Sequence, residues 1–384
     1  MNYFRLNEET YFVNGTNPAV YNLFTGEIYL MNQRDAKTIV KLESNQTISN
    51  SEEAQLSRFL KEKGLGQFHS QQVFIEKVNL LPDWYDYLYF SPAPLINRVS
   101  ICLTDCVYNC ENCNIHNYRR YSPCLCNSKE IPIKCNLSFD DITHFLDNLR
   151  KLRVKEVLIT GNCGDRIDKF KVIEYAINAN INTVGFVHCY RDLDNIDYNK
   201  LFEMGAHLYL QVNHNEISEE ALKKVLALDP LKATILLQVK YKEEDPNPYI
   251  NFFKKNRVNY LIDFVFPKTI KKEEISNLYH RNIPKVNART YSLARKRNKC
   301  LTGSFATLPN GDIVPCFGLE NNKVGNIKDF SNIFSDSGLF KYWNLNSDSI
   351  TPCKTCGLRY ACNDCRGLET RLGANIYQKI TCMR

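Results

Sequence analysis

Cysteine placement constrains this chain more than any other property. Sixteen cysteines occur in 384 residues, and fourteen of them fall into two groups. Cys102, Cys106, Cys110, Cys113, Cys124, Cys126 and Cys135 form one; Cys300, Cys316, Cys353, Cys356, Cys362, Cys365 and Cys382 form the other. Only Cys163 and Cys189 lie between them. Grouped thiols in a chain of this length hold metal more often than they form disulfides, provided the compartment is reducing. The N-terminus supplies that premise. Met1-Asn2-Tyr3-Phe4-Arg5 turns polar without the charged-then-apolar pattern of a secretory signal, so a cytoplasmic protein is expected. No apolar run approaches the roughly 18 residues of a membrane span, so no membrane partner is expected.

The formal charge is +7. The excess is local: residues 268–299 hold ten Lys or Arg against Glu273 and Glu274. That pattern reads as a solvated helix and linker, or as a surface for an acidic peptide, and not as a nucleic-acid footprint.

From 98 to 266, strand signals alternate with helix signals. Strands are expected at Val99–Leu103, Val157–Thr160, Thr183–Val187, Leu208–Val212, Ile235–Val239 and Tyr260–Phe266. Ser138 caps a helix whose apolar face is Phe139, Ile142, Phe145, Leu146 and Leu149. Ile167, Phe170, Ile173 and Ile177 mark another. Repeated βα units predict a parallel sheet, and six of them fit a partial barrel, with the site at the C-terminal strand ends.

The first of these strands runs into Cys106-Val107-Tyr108-Asn109-Cys110-Glu111-Asn112-Cys113. A C-x3-C-x2-C loop can set three thiolates around one cubane and leave the fourth iron for a small molecule. The competing reading is a structural zinc with Cys102 as fourth ligand. Spacing and location together resemble the radical SAM superfamily. The resemblance implies a 4Fe-4S cluster on Cys106, Cys110 and Cys113 that binds S-adenosylmethionine and yields a 5′-deoxyadenosyl radical. By position it also implies S-adenosylmethionine contacts from Asn112, from Thr160, Gly161 and Asn162, and from Gln211 and Asn213. Three departures stand out: Asn112 replaces an aromatic residue, Gly161-Asn162-Cys163 lacks the family's acid, and Gln211-Val212-Asn213 lacks its serine.

The second group has its own pattern. Cys300 is followed by Cys316, with four residues between it and the Gly311 turn, then by Cys353-x2-Cys356-x5-Cys362-x2-Cys365, with Cys382 last. A zinc ribbon on Cys353–Cys365 is the plain alternative. The pattern resembles a SPASM domain, with one x2 spacing where that family has x3. The resemblance implies two auxiliary 4Fe-4S clusters, an outer one on Cys353, Cys356, Cys362 and Cys382 and an inner one on Cys300, Cys316 and Cys365. Ala294–Lys299 offers no further cysteine, so the inner cluster is expected to keep an open iron. Cys124, Cys126 and Cys135 read as free thiols of an insertion or as a further metal site.

At the front, Tyr11–Val13 and Ala19–Tyr21 are strand candidates. Asn22–Met31 reads as a hairpin turning at Thr25-Gly26, and helices follow over Gln33–Leu42 and from Ser51 to Gly64. The order resembles a PqqD-like, winged-helix peptide-recognition domain, which implies leader-peptide binding by strand addition. The aromatic stretch Trp84, Tyr85, Tyr87, Tyr89 and Phe90 reads as a linker.

The expectation is therefore an α/β chain: a winged-helix-like domain (1–70), a linker (71–97), a partial (β/α)6 TIM barrel (98–295) and a cysteine-rich SPASM domain (296–384). The implied activity is radical modification of a ribosomally made precursor peptide, by a thioether or carbon–carbon crosslink. Its partners would be that peptide with its leader and a reductase or flavodoxin-type electron donor. Two rivals remain: a non-catalytic helper that presents a peptide to a separate enzyme, and a sulfatase-type maturase.

Overall fold

A computed structural model describes residues 3–78, 96–103, 118–120, 137–161, 167–267, 283–330 and 332–382, with 271 and 273. The front segment contains β1 (Tyr3–Leu6), β2 (Thr10–Val13), β3 (Ala19–Asn22), β4 (Ile28–Leu30), α1 (Gln33–Glu43), α2 (Ser51–Glu62) and β5 (Gly66–His69). Strands β2, β3 and β4 make an antiparallel sheet, and β1 pairs with β5. The hairpin turn uses Gly26 at φ 78°, where a side chain would be strained. Asn32 and Asn50 cap the two helices by accepting from Asp35 N and Glu53 N. Ile39, Leu42, Leu56 and Leu60 face Phe4, Leu6 and Val20 in a small core.

The central unit contains β6 (Arg98–Cys102), β7 (Tyr118–Arg120), α3 (Phe139–Lys151), β8 (Glu156–Thr160), α4 (Lys169–Asn178), β9 (Thr183–Cys189), α5 (Tyr198–Glu203), β10 (His207–Asn213), α6 (Glu219–Leu226), β11 (Ala233–Lys240), α7 (Asn247–Lys255) and β12 (Tyr260–Pro267). After it come α8 (Ala288–Lys296), β13 (Ser304–Thr307), β14 (Asp312–Val314), β15 (Gly325–Asn326), α9 (Leu339–Trp343) and α10 (Arg366–Arg371).

One ten-stranded sheet runs β15-β14-β13-β6-β8-β9-β10-β11-β12-β7. From β13 to β12 every pairing is parallel, and β7, β14 and β15 are antiparallel additions. The fold is thus mixed α/β with a mostly parallel sheet, and all six strands expected from 98 to 266 are present. Apart from β7, which pairs on the far side of β12, spatial order from β6 to β12 follows chain order. The joining helices α3 to α7 bury Phe145, Val172, Ile173, Phe202, Val225 and Phe253 in the same core as Val99, Ile159, Phe186, Leu210 and Leu237. All five helices therefore cover one face of the sheet.

The opposite face follows from register. Residues opposed in a parallel ladder share a face, and successive residues alternate. That face carries Ser100 and Cys102, then Thr160, Cys189, His207, Tyr209, Gln211 and Asn213, then Thr234, Gln238 and Asp263. A parallel sheet is ordinarily apolar on both faces; this face is apolar in mid-strand, at Leu158, Val187 and Leu236, and polar toward the C-terminal strand ends.

The front segment is not a free-standing unit. Val13, Ala19, Tyr21 and Leu23 share a core with Val286, Tyr291 and Ala294 near and on α8, and with Leu358, Tyr360 and Ala361 between two of the late cysteines. Tyr291 touches the rings of Tyr11, Tyr21 and Tyr360 at 5.2, 5.2 and 5.0 Å. Among the described residues no helix is long and apolar enough to cross a membrane.

Candidate metal centre

Cys106, Cys110, Cys113, Asn112, Asn162 and Cys163 lie outside the described residues, as do Cys124, Cys126, Cys135 and the aromatic stretch 84–90. What the structure does give is their anchor. Strand β6 ends at Cys102, opposite Thr160 in the ladder, and Leu103 N donates to Thr160 O at 3.0 Å. Thr160 is buried and Gly161 follows at φ 99°, a turn that favours glycine. Gln211 and Asn213 end β10, two strand spacings away, or about 10 Å. Gln211 Nε2 donates to Gln238 Oε1 at 2.9 Å, and Gln238 Nε2 donates to Asp263 Oδ2 at 3.4 Å. A hydrogen-bonded string thus crosses the C-terminal ends of β10, β11 and β12 on the polar face. Gln238 and Asp263 are both buried. Each interrupts an otherwise apolar strand, Ile-Leu-Leu-Gln-Val and Leu-Ile-Asp-Phe-Val, a signal present in the sequence but not used there.

At the other end of β6 a cavity of about 190 Å³ is lined by Arg98, Glu156, Ser304, Phe317 and by both Cys300 and Cys316. Arg98 Nε meets Glu156 Oε2 at 2.6 Å across its wall. Cys300 is set by Asn298, a buried residue whose Oδ1 accepts from Cys300 N and Leu301 N at 3.0 Å each. Cys316 follows the β13–β14 hairpin. That hairpin is tied by Asp312, which accepts from Asn310 and Asn326 at 2.9 Å and from Lys323 at 2.6 Å. Gly311 turns it at φ 84°, where an added Cβ would stand 2.9 Å from Leu137. Behind Cys316, Gly318 packs on Gly367, its Cβ position 2.8 Å from the Gly367 Cα, and this brings the loop before α10 and its Cys365 alongside. Leu368 N donates to Cys365 Sγ at 3.4 Å. Cys300 and Cys316 thus share one cavity, and the Cys365 loop adjoins that of Cys316.

Of the remaining late cysteines, Cys362 lies against a buried lysine and Cys353 is within its electrostatic reach. Lys379 Nζ donates to Cys362 Sγ at 3.3 Å and also to Asn363 O. Burial acts to lower the Lys379 ammonium, but the Cys362, Asp364, Cys353 and Glu369 charges outweigh it and hold the group above the ordinary lysine value. Cys353 is pushed up to about 12, chiefly by burial, with Lys379 opposing and Asp364, Cys362 and Cys382 adding to the rise. Those effects put Cys362 and Cys382 within electrostatic reach of Cys353. Cys356 stands on the front-segment side, where Asn17 Nδ2 donates to its sulfur at 3.9 Å. The tail carrying Cys382 is clamped by Glu369, fully buried, which accepts from Ile380 N at 2.8 Å, from Thr381 N at 3.2 Å and from the Thr381 hydroxyl. Arg366, also fully buried, pairs with Asp364 and donates to Ile376 O and Gln378 O at 3.2 and 2.8 Å.

Among the described residues no three His, Cys, Asp or Glu side chains are gathered tightly enough to hold a single metal ion. N–H donors from Asn17, Lys379 and Leu368 reach the sulfurs of Cys356, Cys362 and Cys365, the kind of contact that orients a metal-bound thiolate. A thiol kept neutral by burial, as Cys353 is, ionises when metal binds it. No protein-family model matches this chain, and no curated protein matches it.

Proposed function

We propose that this chain is a radical SAM peptide maturase, built on a partial (β/α)6 barrel with a SPASM-type module, and that it modifies a ribosomally made precursor peptide. The observation that carries the reading is β6. Its C-terminal end leads into the C-x3-C-x2-C loop, while its N-terminal end borders the cavity that holds Cys300 and Cys316. Two further features support it. The parallel strands from β6 to β12 follow one another in chain order apart from β7, and the helices that join them lie on one face, as in a (β/α) barrel. The other face is polar at the strand ends, where a charged small molecule and a peptide need hydrogen-bond partners.

In this reading Cys106, Cys110 and Cys113 would hold a 4Fe-4S cluster, which would supply one-electron radical chemistry to S-adenosylmethionine. Thr160 and Gly161 present backbone groups to the methionine moiety, and Gln211 and Asn213 present amides to the ribose. The Gln211–Gln238–Asp263 string fixes the first of those amides. Cys353, Cys356, Cys362 and Cys382 form the outer ligand set, and Cys300, Cys316 and Cys365 the inner one. Four steps of β6 separate the two ends, about 13 Å along the strand. That separation suits the inner set to electron passage better than to direct contact with a substrate carbon. A flavodoxin-type donor or reductase supplies electrons, and the β2–β3–β4 sheet takes the leader as an added strand.

Anaerobic reconstitution with iron and sulfide, followed by S-adenosylmethionine and a reductant, should give 5′-deoxyadenosine. Replacing Cys106, Cys110 and Cys113 by Ala should abolish it and remove about four irons per chain. The helper reading draws on Gly161-Asn162-Cys163, which has no acid to meet the S-adenosylmethionine amino group. Full iron loading without any 5′-deoxyadenosine would favour it.

A further inference from the structure

The front segment touches the late cysteines more closely than peptide binding requires. Its β2–β3 turn lies on the loop Cys353–Cys362, and the approach is backbone to backbone. Thr16 N donates to Thr355 O at 2.6 Å, and Arg359 Nη1 donates back to Asn14 O at 3.3 Å. Tyr21, buried to its hydroxyl, donates to Gly357 O at 2.8 Å. Asn17 reaches the Cys356 sulfur itself.

Two glycines make this fit possible, one from each side. A Cβ on Gly357 would stand 2.0 Å from Asn17 O and 2.7 Å from Val13 O. A Cβ on Gly15 would stand 2.2 Å from Thr355 O, at a φ of 152° that side chains rarely adopt. Any side chain at either position would prise the surfaces apart. Val13, Ala19 and Tyr21 close the contact with Leu358, Tyr360 and Ala361, excluding water from the residues between Cys356 and Cys362.

We propose that the front segment is a structural wall of the outer cysteine site, with Asn17 and Tyr21 as positioning residues for Cys356. It shields the ligand loop and fixes its geometry, apart from any role in peptide recognition. The proposal rests on the reading that the outer site holds iron. An amide N–H that reaches a ligand sulfur grows stronger when the sulfur is ionised, because charge-assisted hydrogen bonds are the stronger kind. The wall therefore stabilises the loaded site more than the free one.

The test uses the full chain, reconstituted anaerobically, with a ferrous chelator capturing released iron. Tyr21→Phe and Asn17→Ala each remove one hydrogen bond of the contact, the first with almost no change in volume. Each is expected to release a fraction of about four irons per chain at least tenfold faster than the parent, with the remaining iron unaffected. Gly357→Ala should release it faster still. Arg34→Ala breaks an exposed pair with Glu52 on the far helices of the same segment and should leave release at the parent rate. Parent-like release in both Tyr21→Phe and Asn17→Ala would overturn the proposal while leaving the outer cluster in place. Equal acceleration by Arg34→Ala would overturn it too, since the effect would then be general loosening. A Cys353→Ala/Cys356→Ala chain that carries as much iron as the parent would show instead that the outer site holds none, and both readings would fall.

Discussion

Replacing Glu369 by Ala should detach the tail that carries Cys382. Glu369 is fully buried on α10 and accepts from Ile380 N, Thr381 N and the Thr381 hydroxyl. Alanine leaves two backbone donors and a hydroxyl without their acceptor, and it removes a charge facing Lys379 and Arg366. Hydrogen bonds to a charged group contribute about 1.5–3 kcal/mol each. Such losses do not add in one network, and breaking a buried charged set costs on the order of 3–5 kcal/mol. Because about 1.4 kcal/mol is tenfold, local opening of the tail should become more frequent by at least about a hundredfold. Amide hydrogen exchange at Ile380 and Thr381, measured against protected core strands such as β10, reads that change directly. Glu369→Gln keeps an acceptor and should recover part of the protection. If Glu369→Ala changes exchange at these two amides by less than about fivefold, the clamp is not what holds Cys382, and the reasoning fails.

Cys353 in iron-free protein should resist alkylation: a thiol at about 12 is ionised to only about one part in ten thousand at pH 8, so peptide mapping should find it roughly a thousandfold slower than in urea. Because this thiol is raised on folding, the unfolded chain ionises first, and iron-free stability should decline as pH rises from about 8.5 toward 12. Ser138→Ala should cost about 1 kcal/mol of α3 stability by losing its N-cap, read as a lower urea midpoint. Asp141 in the same capping box is held below the usual carboxylate range, first by the Ser138 N–H and also by Lys328. Its contribution should be intact above about pH 4 and fade as pH falls through its lower folded value, so the gap between Asp141→Asn and parent should close in acid. Asp312→Ala should loosen the β13–β14 hairpin and raise the maleimide reactivity of Cys316 in iron-free protein; unchanged reactivity would mean the hairpin does not position that thiol.

The parallel strands were legible because each is a short β-branched or leucine-rich run between amphipathic helices, and capping residues such as Ser138 mark helix starts by their own chemistry. What stayed hidden was non-local. Strand β13 pairs with β6 across some 200 residues, and Ser304-Phe305-Ala306-Thr307 has nothing that names its neighbour. Strands β1 and β5, four residues each, are too short to announce their pairing. The grouping of the late cysteines is visible in the sequence, and their division into sets is what the resemblance implies, but the residues that hold them could not be read there. Asn298, Lys379, Arg366 and Glu369 read as surface polar residues until the fold buries them. Asn17 and Tyr21 lie more than 330 positions from the loop they contact.

Strand β3 has a neighbour on each side of its role. Along one edge it pairs with β4 through Ala19–Leu30, Val20–Tyr29 and Tyr21–Ile28. Through the hydroxyl of Tyr21 it reaches the loop of Cys356. A strand of four residues has little slack, and both contacts include the same tyrosine. A peptide docked along β4 would therefore arrive one strand away from the outer thiols, and tightening that hairpin would tighten the loop as well. Under the proposed function, leader binding on β4 and iron retention at Cys356 would share this one tyrosine.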